Sequence, residues 1–420
     1  MEQSSDQRLH NEIEAEVEKL EKGEISLQSL DNIFNKNLAT LIRRKFIEKI
    51  TKTPLPSIGS TILEFEEVIG KNAENTIGAT QIPLGIVGPL KVFGDHAIGD
   101  YYVPMATTEG ALIASVNRGV KAVTMSGGVR VKVLRDFMTR APLIVFNSMD
   151  EAVKFYNTIK NHEGKLREIV KVVTRHGELI GFDVYVIGNN AWIRLKFDTG
   201  EAMGMNIATL ASERICYYIE ENYKAKCLAL SGNVCVDKKP SWINIIEGRG
   251  KEVVAEAIIK REVIDKVFKA RIDDIVEVAI KKNLLGSAVS GSMYYNAHFA
   301  NIIAAIFIAT GQDVAQVVES SSGFSFAEKR GEDLYLTVKL TNLEVGTVGG
   351  GTRLPTQREA LKIMGLGNGL KGEAKKFAEI ITSTVLAGEL NLIAALAGGE
   401  LAKGHEKYGR GKVDSSSKKE

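Results

Sequence analysis

The spacing of apolar and polar positions changes several times along the chain, and each change marks a predicted element. Residues 6–22 predict a helix without a strong apolar stripe. From 29 to 50 the stripe is better formed, through Leu30, Ile33, Phe34, Leu38, Leu41, Ile42 and Phe46. Those intervals of three and four residues give a helix with one buried face. TPLPSIG breaks the pattern and predicts a linker. ENTIGATQIPLGIVGPL, rich in proline and glycine, reads as loop. The first long helix after it begins near TTEGALIASVNRGVKAV.

From about 142 to 228 the texture differs. APLIVFN and NAWIRLKFD are strand-like, whereas MDEAVKFYNTIKNHEGKLREIVKVV and GMNIATLASERICYYIEENY are helix-like. Strand, helix, strand, strand, helix is the order of a small α+β module of the split βαβ type. The module reads as an insertion, because long-helix texture resumes over 251–313. The end, GRGKVDSSSKKE, predicts a disordered tail. No internal repeat is found.

Composition narrows the function classes. A chain of 420 residues exceeds one simple core and implies two or three domains. Its 44% hydrophobic and 25% charged residues are ordinary for a globular protein. A net charge of +2, from 54 basic and 52 acidic residues, asks for neither nucleic acid nor an anionic membrane. Cys216, Cys227 and Cys235 show no C-x-x-C spacing, so no metal and no disulfide framework is expected, and a reducing cytoplasm is the default location. The polar, acidic N-terminus is not a signal peptide. No apolar run reaches the roughly 20 residues that span a bilayer. The longest, from Ile302 to Ala309, is a core helix segment.

Three places could carry chemistry. In NAHFANIIAAIFIATGQD, His298 and Asn301 are three apart and share a helix face. They form either a buried pair satisfied by backbone or part of a site. Gly311 is the expected C-cap, and Asp313 just beyond it is an acid at the end where a helix dipole disfavours one. In MATTEGALIAS, Thr107 or Thr108 caps a helix with Glu109 in its first turn, a simple cap unless burial makes Glu109 a proton donor. In LALSGNVCVDKKP an apolar run stops on Asp237, Lys238 and Lys239. That is a solvated turn, or a site where an ammonium stabilises an oxyanion. GTVGGGTRLP could let backbone approach a ligand, but the usual dinucleotide fingerprint and the P-loop are both missing.

In this order, ENTIGATQIPLGIVGPL, PMATTEGALIASVNRG, EAMGMN, SGNVCVDKKPSWINIIEGRGK, KNLLGSAVSGSMYYNAHFANI, GQDVAQ and GTVGGGTRLP resemble one family, 3-hydroxy-3-methylglutaryl-CoA (HMG-CoA) reductase. The match spans 74–352, with His405 beyond, and is similar to the catalytic part of the eukaryotic and archaeal class without a membrane anchor. The resemblance implies a two-step NADPH-dependent reduction of HMG-CoA to mevalonate and free CoA, using NADP(H) and no metal. It implies that Lys238 steadies the oxyanion, Glu109 is the acid, Asp313 couples to both, and His405 protonates the CoA thiolate. Substrate contacts carry over to Arg140, Ser231, Asn233, Asp237, Lys239, Lys282, His298 and Asn301. Cofactor contacts carry over to Thr174 and Arg175, to Glu201, Met203, Gly204, Met205 and Asn206, and to Val348, Gly349 and Thr352. Glu201 stands where the family has aspartate, and Arg175 would meet the 2′-phosphate of NADPH.

The architecture so implied is α+β. A helical domain covers 1–52. A large substrate domain, 53–141 and 229–400, surrounds a long central helix carrying His298. A ferredoxin-like NADP-binding domain, 142–228, is inserted in it, and a tail, 401–420, bears His405. Partners are the small-molecule substrates and further copies of the chain, as a dimer or dimer of dimers with the site at the subunit interface. A reductase for another thioester and a CoA sensor without catalysis are the competing readings.

Overall fold

The computed structural model describes residues 2–399, so His405 and the tail lie outside the described residues. The chain divides into two compact units, one of residues 1–83 with 353–355 and one of the remainder.

In the first unit the helices Glu2–Glu21 and Lys36–Thr51 bury Ile13, Val17, Leu20, Leu30, Ala39 and Ile42. Asn35 caps the second helix by accepting from the Leu38 amide at 2.9 Å, which satisfies one of its orphan donors. The buried Arg43 guanidinium is held by Asp31 at 2.7 Å. The proline-rich linker contains one helical turn, Pro56–Gly59.

The second unit is built on a ten-stranded sheet and one long helix. The supposed loop ENTIGATQIPLGIVGPL runs into a ten-residue strand, Leu84–Phe93, antiparallel to Ile98–Ala106. Gly85, Gly88 and Pro89 hid it from the sequence. A register shift between Val87 and Leu90 absorbs Gly88 and Pro89. Residues 251–313 are likewise less helical than expected, since Gly250–Ile259 is a strand between Val129–Arg140 and Asp333–Leu343.

The long helix is Glu373–Ala397, with 25 residues, and not the segment carrying His298. That segment yields a 12-residue helix, Phe299–Thr310, with His298 as its N-cap. The misreading has a physical cause. Glu379, Glu389, Thr382, Ser383 and Thr384 interrupt the apolar pattern of 373–397, yet all are buried. Each finds a partner inside. Glu379 accepts from the amides of Asp95, His96 and Ala97, and Glu389 from those of Ala297 and His298. The three hydroxyls return to carbonyls one turn back. Buried polar groups so satisfied incur little desolvation cost. This helix is long and apolar enough on average to cross a membrane, but 83% of that window is buried in the protein.

Residues 138–219 form a second core, with Phe146, Phe155, Leu166, Ile193, Phe197 and Ile215 among its members. Its strands run in the antiparallel order Lys226–Ala229, Leu143–Val145, Asn190–Asp198, Glu178–Ile187. The helices Met149–Thr158, Glu163–Val173 and Met205–Tyr223 connect them.

Candidate active site

Sheet register decides where the charged residues meet. Phe137 pairs with Gly250, and Lys251 pairs with Leu343. Arg249 therefore leaves its strand between Thr139 on one side and Glu344 on the other. Its guanidinium is fully buried and saturated. It donates to the Thr139 carbonyl at 2.7 Å, the Thr139 hydroxyl at 3.0 Å and the Met205 sulfur at 3.2 Å. It pairs with Asp237 at 2.7 Å, Glu319 at 2.7 Å and Glu344 at 2.6 Å. These three carboxylates bring oxygens within 4.8 Å of one another, as a metal site would, but Arg249 already bridges them. Burial and the neighbouring Glu319 push the Glu344 carboxyl well above the usual range despite the pull of Arg249.

The turn carrying Lys238 lies against this group. The preceding strand ends at Ala229, nine residues before Lys238, so the lysine belongs to a loop and not to a strand end. Three non-glycine residues in that loop, Asn233, Val236 and Lys238, have φ of 66°, 49° and 58°. A β-branched residue in that region is strained, and the surroundings must hold it there. They do so through the loop carbonyls. Trp192 Nε1 donates to Gly232 O at 2.9 Å, Arg194 Nε to Val234 O at 3.1 Å and Asn244 Nδ2 to Val236 O at 3.0 Å.

The segment after Phe299–Thr310 supports the turn from another side. Asp313 begins a short helical stretch by accepting from the Ala315 amide at 3.1 Å. It is thus the N-cap of the following turn, a favourable place for an acid, which removes the apparent conflict with the preceding helix. Its other oxygen takes the Lys238 ammonium at 2.8 Å, with the two side chains 43% and 36% exposed. This hydrogen bond raises the lysine pKa against a weaker opposing effect of burial, so Lys238 stays cationic. Gln316 donates to Asp237 at 2.9 Å, and Arg140 reaches the same carboxylate at 3.4 Å. Burial pushes the Asp237 carboxyl up, yet Arg249, Gln316, Arg140 and Lys238 together hold it below the ordinary value.

An exposed ammonium, fixed by one carboxylate on a rigid, strained turn, can polarise a carbonyl oxygen. The sequence and the fold are those of a known group of proteins. The family model for hydroxymethylglutaryl-coenzyme A reductase matches residues 39–410. The chain is 57% identical over 414 residues to the 3-hydroxy-3-methylglutaryl-coenzyme A reductase of Aeropyrum pernix, covering 97% of this chain and 98% of that one. It is 51% identical to the Pyrococcus abyssi protein of the same name, covering 95% and 100%. The chain belongs to the hydroxymethylglutaryl-coenzyme A reductase family. A solved structure of the class II reductase from Streptococcus pneumoniae, described as bound to NADPH in open conformations, shares the fold with a TM-score of 0.65 at 19% identity, covering 89% of this chain and all of that one.

The remaining residues suggested by the reductase resemblance are distributed as follows. Glu109 is exposed and lies outside the helix, which begins at Leu112 after Ala111 at φ 73°. Glu109 is in the turn after the Ile98–Ala106 strand, where Thr107 Oγ1 accepts from its amide at 3.0 Å. Asn301 Nδ2 reaches its carboxylate at 3.4 Å. His298 turns inward, with Nε2 at 2.9 Å from the Gly388 carbonyl. The Ser231 hydroxyl meets Cys235 at 3.5 Å. Asn233 is exposed on the strained loop, and Lys239 Nζ bonds the Asp237 carbonyl at 3.2 Å. Lys282 bonds its neighbour Asn283 at 3.3 Å within a π-helical stretch, Ala279–Gly286, and touches none of the other site residues.

The three segments that the resemblance links to the cofactor lie near one another. Ala202 bridges Val348, and the Thr347 amide donates to the Glu201 carbonyl at 2.9 Å. A Cβ on Gly177, two residues after Arg175, would lie 2.8 Å from Ile207, so the Thr174–Arg175 loop packs on the start of the Met205–Tyr223 helix. That start has Gly204 at φ 101°, no side-chain cap, and Asn206 exposed in its first turn. Gly349, at φ 85°, accepts from the Thr352 hydroxyl at 2.6 Å. Gln312 Oε1 accepts from the Gly346 amide at 3.0 Å, tying these loops to the segment of Asp313. Glu201 behaves differently from a ligand contact. Its two oxygens accept from the amides of Gly372 and Ala374 at 2.6 Å each, capping the long helix.

The sequence reading missed Arg249, Gln316, Glu319 and Glu344. Only Arg249 left a signal, as a charged residue between two glycines with φ of 89° and 70°.

Proposed function

We propose that this chain reduces HMG-CoA to mevalonate and CoA with two equivalents of NADPH, in the mevalonate route to isoprenoids. The observation that carries the reading is the Lys238–Asp313 pair at 2.8 Å on the strained turn. The Asp313 hydrogen bond keeps the Lys238 ammonium charged, so the part assigned to it is electrostatic, on the carbonyl oxygen as negative charge develops. Glu109 and His405 are the groups assigned to protonate the carbonyl oxygen and the departing thiolate. Arg140, Ser231, Asn233, Asp237, Lys239, Lys282, His298 and Asn301 are assigned to the substrate side, with Asp237 and His298 acting through their inner contacts.

NADPH supplies hydride when bound. The uncapped first turn at Met205 and Asn206, with Met203 and Gly204 before it, suits a pyrophosphate. The Thr347 hydroxyl, buried without a partner, gives the adjacent loop of Val348, Gly349 and Thr352 a free polar group. Exposed Arg175, beside Thr174, is assigned to the 2′-phosphate, and Glu201 to holding these loops in place.

The strand-helix-strand-strand-helix-strand order over 142–228 and its 4-1-3-2 antiparallel sheet support a ferredoxin-like cofactor domain inserted in the substrate domain. Glu109 contacts Asn301 near one end of Phe299–Thr310, while Asp313 lies beyond the other. The Asn301 end and the Asp313 end of that helix are roughly 14 Å apart at about 1.5 Å per residue, which supports placing Glu109 of one copy opposite Lys238 and Asp313 of another. A homodimer, or dimer of dimers, with the site across the interface and located in the cytoplasm, is part of the proposal.

The test follows NADPH and NADH absorbance in parallel with HMG-CoA, quantifying mevalonate. Two NADPH per mevalonate, with NADH poorer, is expected, and Arg175→Ala should weaken NADPH use far more than NADH use. A folded protein that binds HMG-CoA and oxidises neither would instead be a sensor.

A further inference from the structure

Lys238 has a neighbour on each side, and both are held by one buried ion pair. The carboxylate of Asp237 takes Arg249 Nη2 at 2.7 Å. The backbone amide of Lys239 donates to Glu319 Oε2 at 3.1 Å. Glu319 Oε1 and Arg249 Nε close the circuit at 2.7 Å, with both side chains at 1% exposure or less. The segment that supplies Glu319 also supplies Asp313 and Gln316, at intervals of three. Asp313 meets Lys238, Gln316 meets Asp237 and Glu319 meets the Lys239 amide. Residues three apart on a tight helical stretch share a face, so one face reads the whole turn.

We propose that Glu319, together with Arg249, is a positioning residue for Lys238. It fixes the backbone on both sides of the lysine, at the φ of 58° that Lys238 would not keep unaided, and so sets where the ammonium points. Glu319 touches no substrate atom in this scheme and acts only through the turn. The inference rests on the assignment of Lys238 to the oxyanion. The groups facing Glu319 are Arg249, the Lys239 amide, Glu344 across the guanidinium, and Asp237 beyond it. Glu344, its carboxyl pushed up by burial and by Glu319, shares the one guanidinium with Asp237 and Glu319.

Misplacing a catalytic group by a fraction of its reach slows turnover on the order of 10- to 100-fold. Glu319→Gln keeps size and an acceptor oxygen but loses the charge that holds Arg249. Its kcat should fall by that factor, with KM for NADPH little changed and a melting transition that is lowered but still cooperative. The same substitution placed in a Lys238→Ala background should cost no further activity, because the residue it positions is gone. Additive losses in the double variant, or full kcat in a folded Glu319→Gln protein, would overturn the proposal. A measurement on the unmodified chain covers the case in which the variant does not fold. Hydrogen exchange should find the Lys239 amide protected although its side chain is exposed, and free exchange there would equally overturn it. Wild-type protein assayed alongside separates this outcome from failure of the reductase reading, since a wild type without activity would count against that reading alone.

Discussion

Asp237 and Lys238 are adjacent in the chain and live in opposite physical regimes. Asp237 is gripped by Arg249, Gln316 and Arg140 in a buried network, whereas Lys238 is largely exposed and has one ion-pair partner, Asp313. The difference teaches how rigidity and reactivity are divided. The charges that fix geometry are removed from water, where each contact is strong and each loss is severe. The charge assigned to the substrate is left with room around it, because a ligand must be able to displace water there. The strained turn joins the two regimes.

The sharpest way to break the comparison is to remove the buried cation. Arg249→Met leaves Asp237 and Glu319 without their partner, and breaking such a buried pair costs about 3–5 kcal/mol. Denaturant unfolding should register that loss, and a change below the range of exposed pairs would mean the network is not what holds the turn. Lys238→Ala should invert the result. An exposed pair contributes at most about 1 kcal/mol to stability, whereas loss of one oxyanion-stabilising donor costs on the order of 100- to 1,000-fold in kcat. Steady-state kinetics beside a melting curve would separate the two, and near-normal turnover would end the catalytic assignment. The smallest effect is one of acid stability. Asp237 is held below its ordinary value of 3.8, so its contribution is present above that value and is lost as pH falls through the lowered one. Wild type should lose stability over that acid window more steeply than Asp237→Asn, and parallel curves would show that Asp237 gains nothing from its partners.

Glycine spacing sharpens the contrast further, since it governs how closely the regions approach. A Cβ on Gly311 would lie 2.3 Å from the Gly351 carbonyl oxygen, and one on Gly351 would lie 2.6 Å from the Gly311 oxygen. The loop of Gly351 can therefore rest directly on the end of the helix that leads to Asp313.

The sequence by itself determined a good deal. The motif order identified the family, and it placed Lys238 and Asp313 as partners and the 174–175, 201–206 and 348–352 segments as one group. It did so because these residues stand in loops, where their types are unusual for their surroundings and so are conspicuous. The strand within 84–93, the identity of the long helix and the Arg249 network were decided only by tertiary structure. For the strand and the long helix the sequence signal pointed the wrong way. Gly and Pro in a strand, and Glu and Thr in a core helix, are unfavourable locally and become favourable only when a bulge or a distant backbone amide meets them. Glu319 is the extreme example. Nothing in VVESSSG distinguishes it from a surface glutamate until folding brings an arginine 70 residues away to one of its oxygens and the amide beside Lys238 to the other.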